Sequence, residues 1–138
     1  MAENSYSLSD DATGQSGGAA VGSGEIGGHQ TDEHNVRELA TIPAVEVITR
    51  AAVMLMSAAA EKVGPDAGGD EEFQDLPDAR ALITALAGLV KAAEGDLGLH
   101  RKPLADGVKA LQLAFREASA YPDEPGQGPG EKFTGPLR

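Results

Sequence analysis

The segment from Pro43 to Val63 places the strongest constraint on how this chain can fold. Pro43 suits the first turn of a helix, because the N–H that proline lacks would have no partner inside the helix there. Gly64 and Pro65 follow the segment, and this pair is typical of a helix end. The residues between are mostly Ala, Met, Leu and Glu, which favour helix. The sequence therefore predicts a helix over about residues 43–63.

This first long helix is apolar on more than one side. At 100° per residue its polar side chains form a single narrow stripe: Glu46, Arg50, Ser57 and Glu61. Two apolar flanks border that stripe: Val47, Met54 and Ala58 on one side, and Val45, Val53, Met56 and Ala60 on the other. The face opposite the stripe, which includes Ala51, is apolar as well. The uncharged run is too short to span a membrane, so we expect a central helix that is covered on two or three sides.

Two further helices are predicted over about residues 77–94 and 103–120. The second helix carries a stripe of small residues to which the first helix is expected to pack: Ala81, Ala85, Gly88 and Ala92. The third has one apolar stripe: Leu104, Val108, Leu111, Phe115 and Ala118. Its remaining side chains are expected to point outward, Gln112 among them. The predicted fold class is all-α, with a small three-helix bundle within residues 35–121.

Both ends of the chain differ from this domain in composition. Residues 1–34 have six acidic side chains, no Lys or Arg, and many Gly and Ser, so a disordered acidic arm is predicted. Its glycine motif at Gly22, Gly24 and Gly27 lacks the flanking strand and helix of a dinucleotide site. His29 and His34 lie in the same arm, and we interpret them as solvated side chains and not metal ligands.

Residues 122–138 are predicted to form a flexible Gly/Pro-rich tail, because they hold four of the eight prolines. An alternative stays open for this segment. Phe133 is flanked by glycines and prolines that favour an extended path, and a short extended segment with one aromatic anchor is typical of a docking motif. The segment could therefore dock on its own domain or on a partner.

Several stretches resemble one bacterial family: ELATIPAVEVITRAAVMLMSAAAEKVG, ARALITALAGLV, LQLAFREAS and GQGPGEKFTGP. The resemblance is to the domain-of-unknown-function family eighteen-forty-four, short all-helical proteins of the actinobacterial type, and it covers roughly Val36 to Pro136. The resemblance implies no activity, cofactor or catalytic residues. Family members lie beside genes for translation initiation factor three and ribosomal proteins, which implies an association with translation.

The residue types argue against catalysis. The chain has no cysteine, the predicted domain has one histidine, His100, and the helical hydroxyl groups have no evident base beside them. We therefore expect no enzymatic activity and no cofactor or metal site. The net charge of −11 disfavours nonspecific binding to nucleic acid or to anionic membranes. The polar, acidic N-terminus does not look like a signal peptide, so a cytoplasmic location is predicted.

The predicted function is that of a helical interaction protein that self-associates as a symmetric dimer. The expected interface is Val47, Met54 and Ala58, or the opposite flank with Val53 and Met56, and Phe133 is a further candidate contact. One alternative is an accessory factor that binds the ribosome or a translation factor. Another is a small-ligand binder or an enzyme with its site in the helical core.

Overall fold

The computed structural model describes residues 36–137, and the chain divides into two units between Ile42 and Pro43. In the described part of the first unit, residues 36–40 are helical and are named α1 here. The predicted acidic arm, with its glycine motif and its two histidines, lies outside the described residues.

The second unit contains three long helices, each of which packs against the other two: α2 (Ala44–Val63), α3 (Leu76–Ala93) and α4 (Arg101–Ala118). A short helix, α5 (Glu131–Thr134), follows near the C-terminus. Three 3-10 turns lie between the long helices: Pro65–Ala67, Glu71–Phe73 and Gly98–His100. Residues 36–137 contain no strand, so the all-α prediction is confirmed for this part of the chain.

The connection between α2 and α3 forms a helical hairpin. Gly64 ends α2 with φ at 97°, a value that favours glycine, and its N–H donates to Ala60 O. The chain then turns back, and Asp75 N donates to Lys62 O at 2.7 Å. The Asp75 carboxylate caps α3 by accepting from Asp78 N at 3.0 Å. The two helices are therefore antiparallel neighbours with a fixed register.

The apolar core is built unequally by the three helices. The fully or nearly fully buried side chains of α2 are small ones: Ala52, Ala59 and Val63. The larger buried side chains come from α3, the loop after it and α4: Ile83, Leu86, Val90, Leu97, Leu104, Val108, Leu111 and Phe115. Because α2 buries alanines, the other two helices can approach it closely. The predicted stripe of α4 is confirmed as its buried face.

Two predictions about side-chain placement are wrong. Ala81, Ala85 and Ala92 of the small-residue stripe are exposed and do not receive α2, because α3 turns its larger side chains, such as Ile83 and Leu86, into the core. A lone aromatic residue in a loop beside a small bundle is expected to cover one end of the core, but Phe73, the one aromatic residue of the loop between α2 and α3, is exposed. Within residues 36–137, no helix combines the length and the hydropathy that crossing a membrane requires.

Candidate protein-interaction surfaces

One of the two apolar flanks of α2 is largely covered by α4. Met56 lies so close to Gly107 that a Cβ added to this glycine would be 2.6 Å from Met56 Cε. Val45 and Ala60 are half-buried against the core. Val53 is the exception on this flank, since half of its surface is exposed (50%). This flank is therefore mostly used inside the domain.

The other flank of α2 stays open. Met54 is 74% exposed, and Val47 and Ala58 are half-buried. Ala51, which the sequence placed opposite the polar stripe, is exposed and lies beside them. Val47, Ala51, Met54 and Ala58 follow each other at spacings of four, three and four residues, the spacing of a helix–helix contact seam. The structure thus distinguishes the two flanks that sequence periodicity could not.

The outer side of α3 continues this apolar surface. Ala81, Ala85 and Ala92 are exposed, and Leu82 and Leu89 are half-buried beside them. Lys62 of α2 pairs with Asp78 of α3 at 3.0 Å. This contact shows which residues of the two antiparallel helices lie side by side. At the rise of an α-helix, Ala58 then lies level with Leu82, and Ala51 lies level with Leu89.

We call this combined surface the α2/α3 face, and its members are Val47, Ala51, Met54, Ala58, Ala81, Leu82, Ala85, Leu89 and Ala92. All of them are apolar, and most are small. Charged pairs lie at its rim: Glu46 with Arg50 at 2.8 Å and Lys62 with Asp78 at 3.0 Å. Apolar centres with polar rims are typical of protein–protein contact surfaces.

The C-terminal residues form the second notable surface, and the prediction of a flexible tail is wrong for residues 123–137. This C-terminal segment docks on α3 and α4, which is the alternative that the sequence left open. Pro129, Gly130 and Glu131 are buried. The Glu131 carboxylate accepts from Gly126 N at 2.7 Å and from Leu137 N at 3.2 Å, and so holds the two ends of the segment together.

Polar side chains of α3 and α4 hold the segment in place. Arg80 binds both carboxylate oxygens of Asp123 at 2.8 and 3.0 Å, and its guanidinium lies 5.0 Å from the centre of the Phe115 ring. Gln112 Nε2 donates to Pro129 O at 3.0 Å and to Thr134 Oγ1 at 3.1 Å. Gln112 was predicted to point into solvent, but only 3% of it is exposed, because the segment covers it.

Phe133, the predicted docking residue, lies over Gly88 of α3. A Cβ added to Gly88 would be 3.1 Å from Phe133 Cε2, so this glycine makes room for the ring. The small-residue stripe therefore receives an aromatic ring at this position and not a helix. Phe133 still exposes 37% of its surface, and it borders a cavity of about 180 Å³ lined in part by Ala87, Val90 and Val108.

A second cavity lies at the start of α2 and has a volume of about 560 Å³. Pro43, Val45, Thr49 and Val53 line it, and His100 stands at its edge. Its two charged residues, Glu46 and Arg50, are paired with each other at 2.8 Å. Across residues 36–137, no group of three or more histidines and acidic residues could hold a metal ion.

The comparison with known proteins adds no relative. No family model matches the chain, and no curated protein or solved structure shows significant similarity to it. The family resemblance noted above accordingly stays a prediction.

Proposed function

We propose that this protein is a non-enzymatic interaction module, a three-helix bundle that self-associates as a symmetric dimer through the α2/α3 face. The observation that carries the proposal is that two neighbouring helices both leave an apolar flank uncovered. An apolar flank of a helix is expected to be covered, either by its own domain or by a partner. A second copy supplies the missing cover for both helices at once.

The size of the α2/α3 face supports this proposal. Helices of 20 and 18 residues are about 30 and 27 Å long, at 1.5 Å per residue. Two helices packed side by side, about 9 Å apart, present a face about 20 Å wide. The whole outer side of the two helices then offers roughly 600 Å² per copy, the lower end of the range for a specific interface. The apolar members of the face occupy about 17 Å of that length, from Val47 to Ala58 and from Ala81 to Ala92, and the polar rim supplies the rest.

The composition of the face suits a symmetric contact. In a two-fold dimer the same patch meets itself, so the patch must be self-complementary. Alanines let helices approach closely, and a central methionine adapts its shape to the facing surface. The rim pairs, such as Lys62 with Asp78, already satisfy each other within one copy and can stay in contact with water. The charged side chains of these rim pairs therefore need no partner across the interface.

Sedimentation equilibrium of the full chain tests the proposal. We expect an average mass that rises with concentration toward twice the chain mass of 14.1 kDa and then levels off, because a two-fold contact closes on itself. The monomer mass at every concentration, up to the millimolar range, would rule out the dimer. A mass that keeps rising beyond the dimer would point to an open, head-to-tail contact.

An association with the translation apparatus remains a separate prediction, which rests on the family resemblance alone. Co-migration of the protein with ribosomal particles at low salt tests it, and a failure to co-migrate would remove it. The cytoplasmic location and the absence of catalytic activity also stay part of this proposal. If the protein proved to be monomeric, the cavity at the start of α2, which His100 borders, would be the first place to look for a bound ligand.

A further inference from the structure

The contacts of the C-terminal segment resemble those of a bound peptide. Side chains of the two helices bond to main-chain atoms of the segment. They are Arg80 to Gln127 O at 3.3 Å, Arg116 to Asp123 O at 3.2 Å, Gln112 to Pro129 O at 3.0 Å, and Gly130 N to Thr84 Oγ1 at 3.1 Å. Recognition of the main chain gives affinity for an extended peptide, and pockets for individual side chains add sequence preference.

Several positions of the segment limit which sequences the helices accept. Gly130 has φ at 75°, and a Cβ added there would lie 2.8 Å from Ala87 Cβ, so both its conformation and the space around it favour glycine. Phe133 needs the gap over Gly88. Arg80 Nη2 donates to both carboxylate oxygens of Asp123, a charge-assisted contact that favours an acidic residue at this position. The peptide sequence that these contacts favour has an acidic residue, as at Asp123, and further along the chain Gly-Glu-x-Phe-Thr, as at residues 130–134.

The domain core does not include the segment. Among residues 36–137, no residue after Phe115 belongs to the buried apolar core. The linking residues Ala120, Tyr121 and Pro122 are exposed. The bonds from Arg80 to Gln127 and from Arg116 to Asp123 are exposed as well, and exposed polar contacts contribute little stability. Release of the segment would uncover Ala87 and Gln112, two buried side chains that it contacts, but it would remove no side chain of the buried apolar core.

We propose that the surface of α3 and α4 under the segment is a peptide-binding groove and that the C-terminal segment is its intramolecular ligand. The groove comprises Arg80, Thr84, Gly88, Gln112 and Arg116. Its ligand in trans is a segment of another protein that adopts the same turns and short helix and carries an acidic residue followed by glycine and Phe-Thr. The groove adjoins the α2/α3 face at Gly88, but all its contacts with the segment lie within one copy and do not depend on the dimer.

A labelled peptide with the sequence of residues 122–138 tests the groove by fluorescence anisotropy against the full chain. In the wild-type chain the protein's own segment competes, so the peptide binds weakly. Phe133→Ala in the chain weakens that competitor but leaves the groove intact. Since apparent affinity scales with the fraction of open groove, we expect the Phe133→Ala chain to bind the peptide at least about tenfold more tightly than wild type.

Two controls test whether the peptide binds to the groove through Phe133 and Gln112. A peptide with Phe133→Ala should not bind, and a chain with both Phe133→Ala and Gln112→Ala should lose binding to the wild-type peptide. Circular dichroism checks that each chain is folded. If Phe133→Ala unfolds the chain, Asp123→Asn loosens the segment more gently, and it should also raise the peptide affinity above that of wild type.

Folded Phe133→Ala and Asp123→Asn chains that bind the peptide no better than wild type would overturn the proposal. So would unfolding of both chains, because the segment would then be an integral part of the fold. A wild-type dimer that is lost on Phe133→Ala, with no binding of the free peptide, would assign the groove to the segment of a second copy and would also overturn it.

Discussion

Replacing Met54 with glutamate is expected to make the protein monomeric, with a dimer dissociation constant at least about 100-fold higher than that of wild type. Met54 is the most exposed large side chain of the α2/α3 face and lies midway along its α2 side. A carboxylate there would be buried in the interface without a partner, which costs several kcal/mol. Two-fold symmetry places the substitution in both copies, so the loss counts twice. Sedimentation equilibrium measures the change.

Val53→Glu is the matched control for Met54→Glu. The two residues are adjacent in the chain, both are exposed, and the substitution adds the same charge. Val53, however, lies on the flank of α2 that borders α4 and not on the α2/α3 face. We expect Val53→Glu to dimerise within about threefold of wild type, as a distant surface charge changes association only weakly. If both variants lose the dimer equally, the α2/α3 face is not the interface.

Leu86→Ala is expected to cost about 2–5 kcal/mol of unfolding free energy, the range for removing a fully buried leucine side chain. Leu86 is completely buried among the three long helices. For a folded part of roughly 100 residues, each kcal/mol lowers the Tm by about 4–8 °C. Urea denaturation measured by circular dichroism gives the free energy, and thermal melting gives the second readout. The comparison requires equal chain concentrations, because a dimer stabilises the folded state by mass action.

Leu99→Ala makes the same chemical change at a site where 94% of the side chain is exposed. It should change the unfolding free energy by no more than about 0.5 kcal/mol, as is usual for surface substitutions. The difference in unfolding free energy between the two variants measures the contribution of burying the leucine side chain, because the chemical change is the same at both sites. Equal losses for Leu86→Ala and Leu99→Ala would contradict the core described here.

Local signals were enough to predict the three long helices. Pro43 and the pair Gly64–Pro65 mark α2 to within one residue at each end. The α4 stripe from Leu104 to Phe115 is buried as its periodicity predicts. These features depend on residues that are close in sequence, and helix caps and apolar spacing report them directly.

The C-terminal docking could not be predicted in the same way. Arg80 and Asp123 are 43 residues apart, and Gln112 and Pro129 are 17 apart, so no local pattern links them. Composition favoured a flexible tail, because the signal of a four-residue helix such as α5 is weak beside glycines and prolines. The one useful signal was Phe133 itself, a single aromatic residue in a Gly/Pro-rich segment.

The choice between the two flanks of α2 also needed the structure. Periodicity makes Met54 and Met56 equally apolar members of opposite flanks. The two methionines differ in exposure because Gly107 of α4 lies against Met56, whereas Met54 is left exposed. The exposed alanines of α3 then identify which open flank continues onto a second helix. A tertiary contact between α2 and α4 thus determines which flank can form an interface.

A distance between two copies tests the central claim most directly. The chain has no cysteine, so Ala81→Cys places one nitroxide label on the edge of the α2/α3 face of each copy. Because the face is only about 20 by 30 Å, a two-fold contact through it predicts one narrow distance distribution below about 30 Å. Dilution with unlabelled wild-type chain should remove the dipolar coupling. A labelled chain that sediments as a dimer but shows no distance in this range would contradict the account.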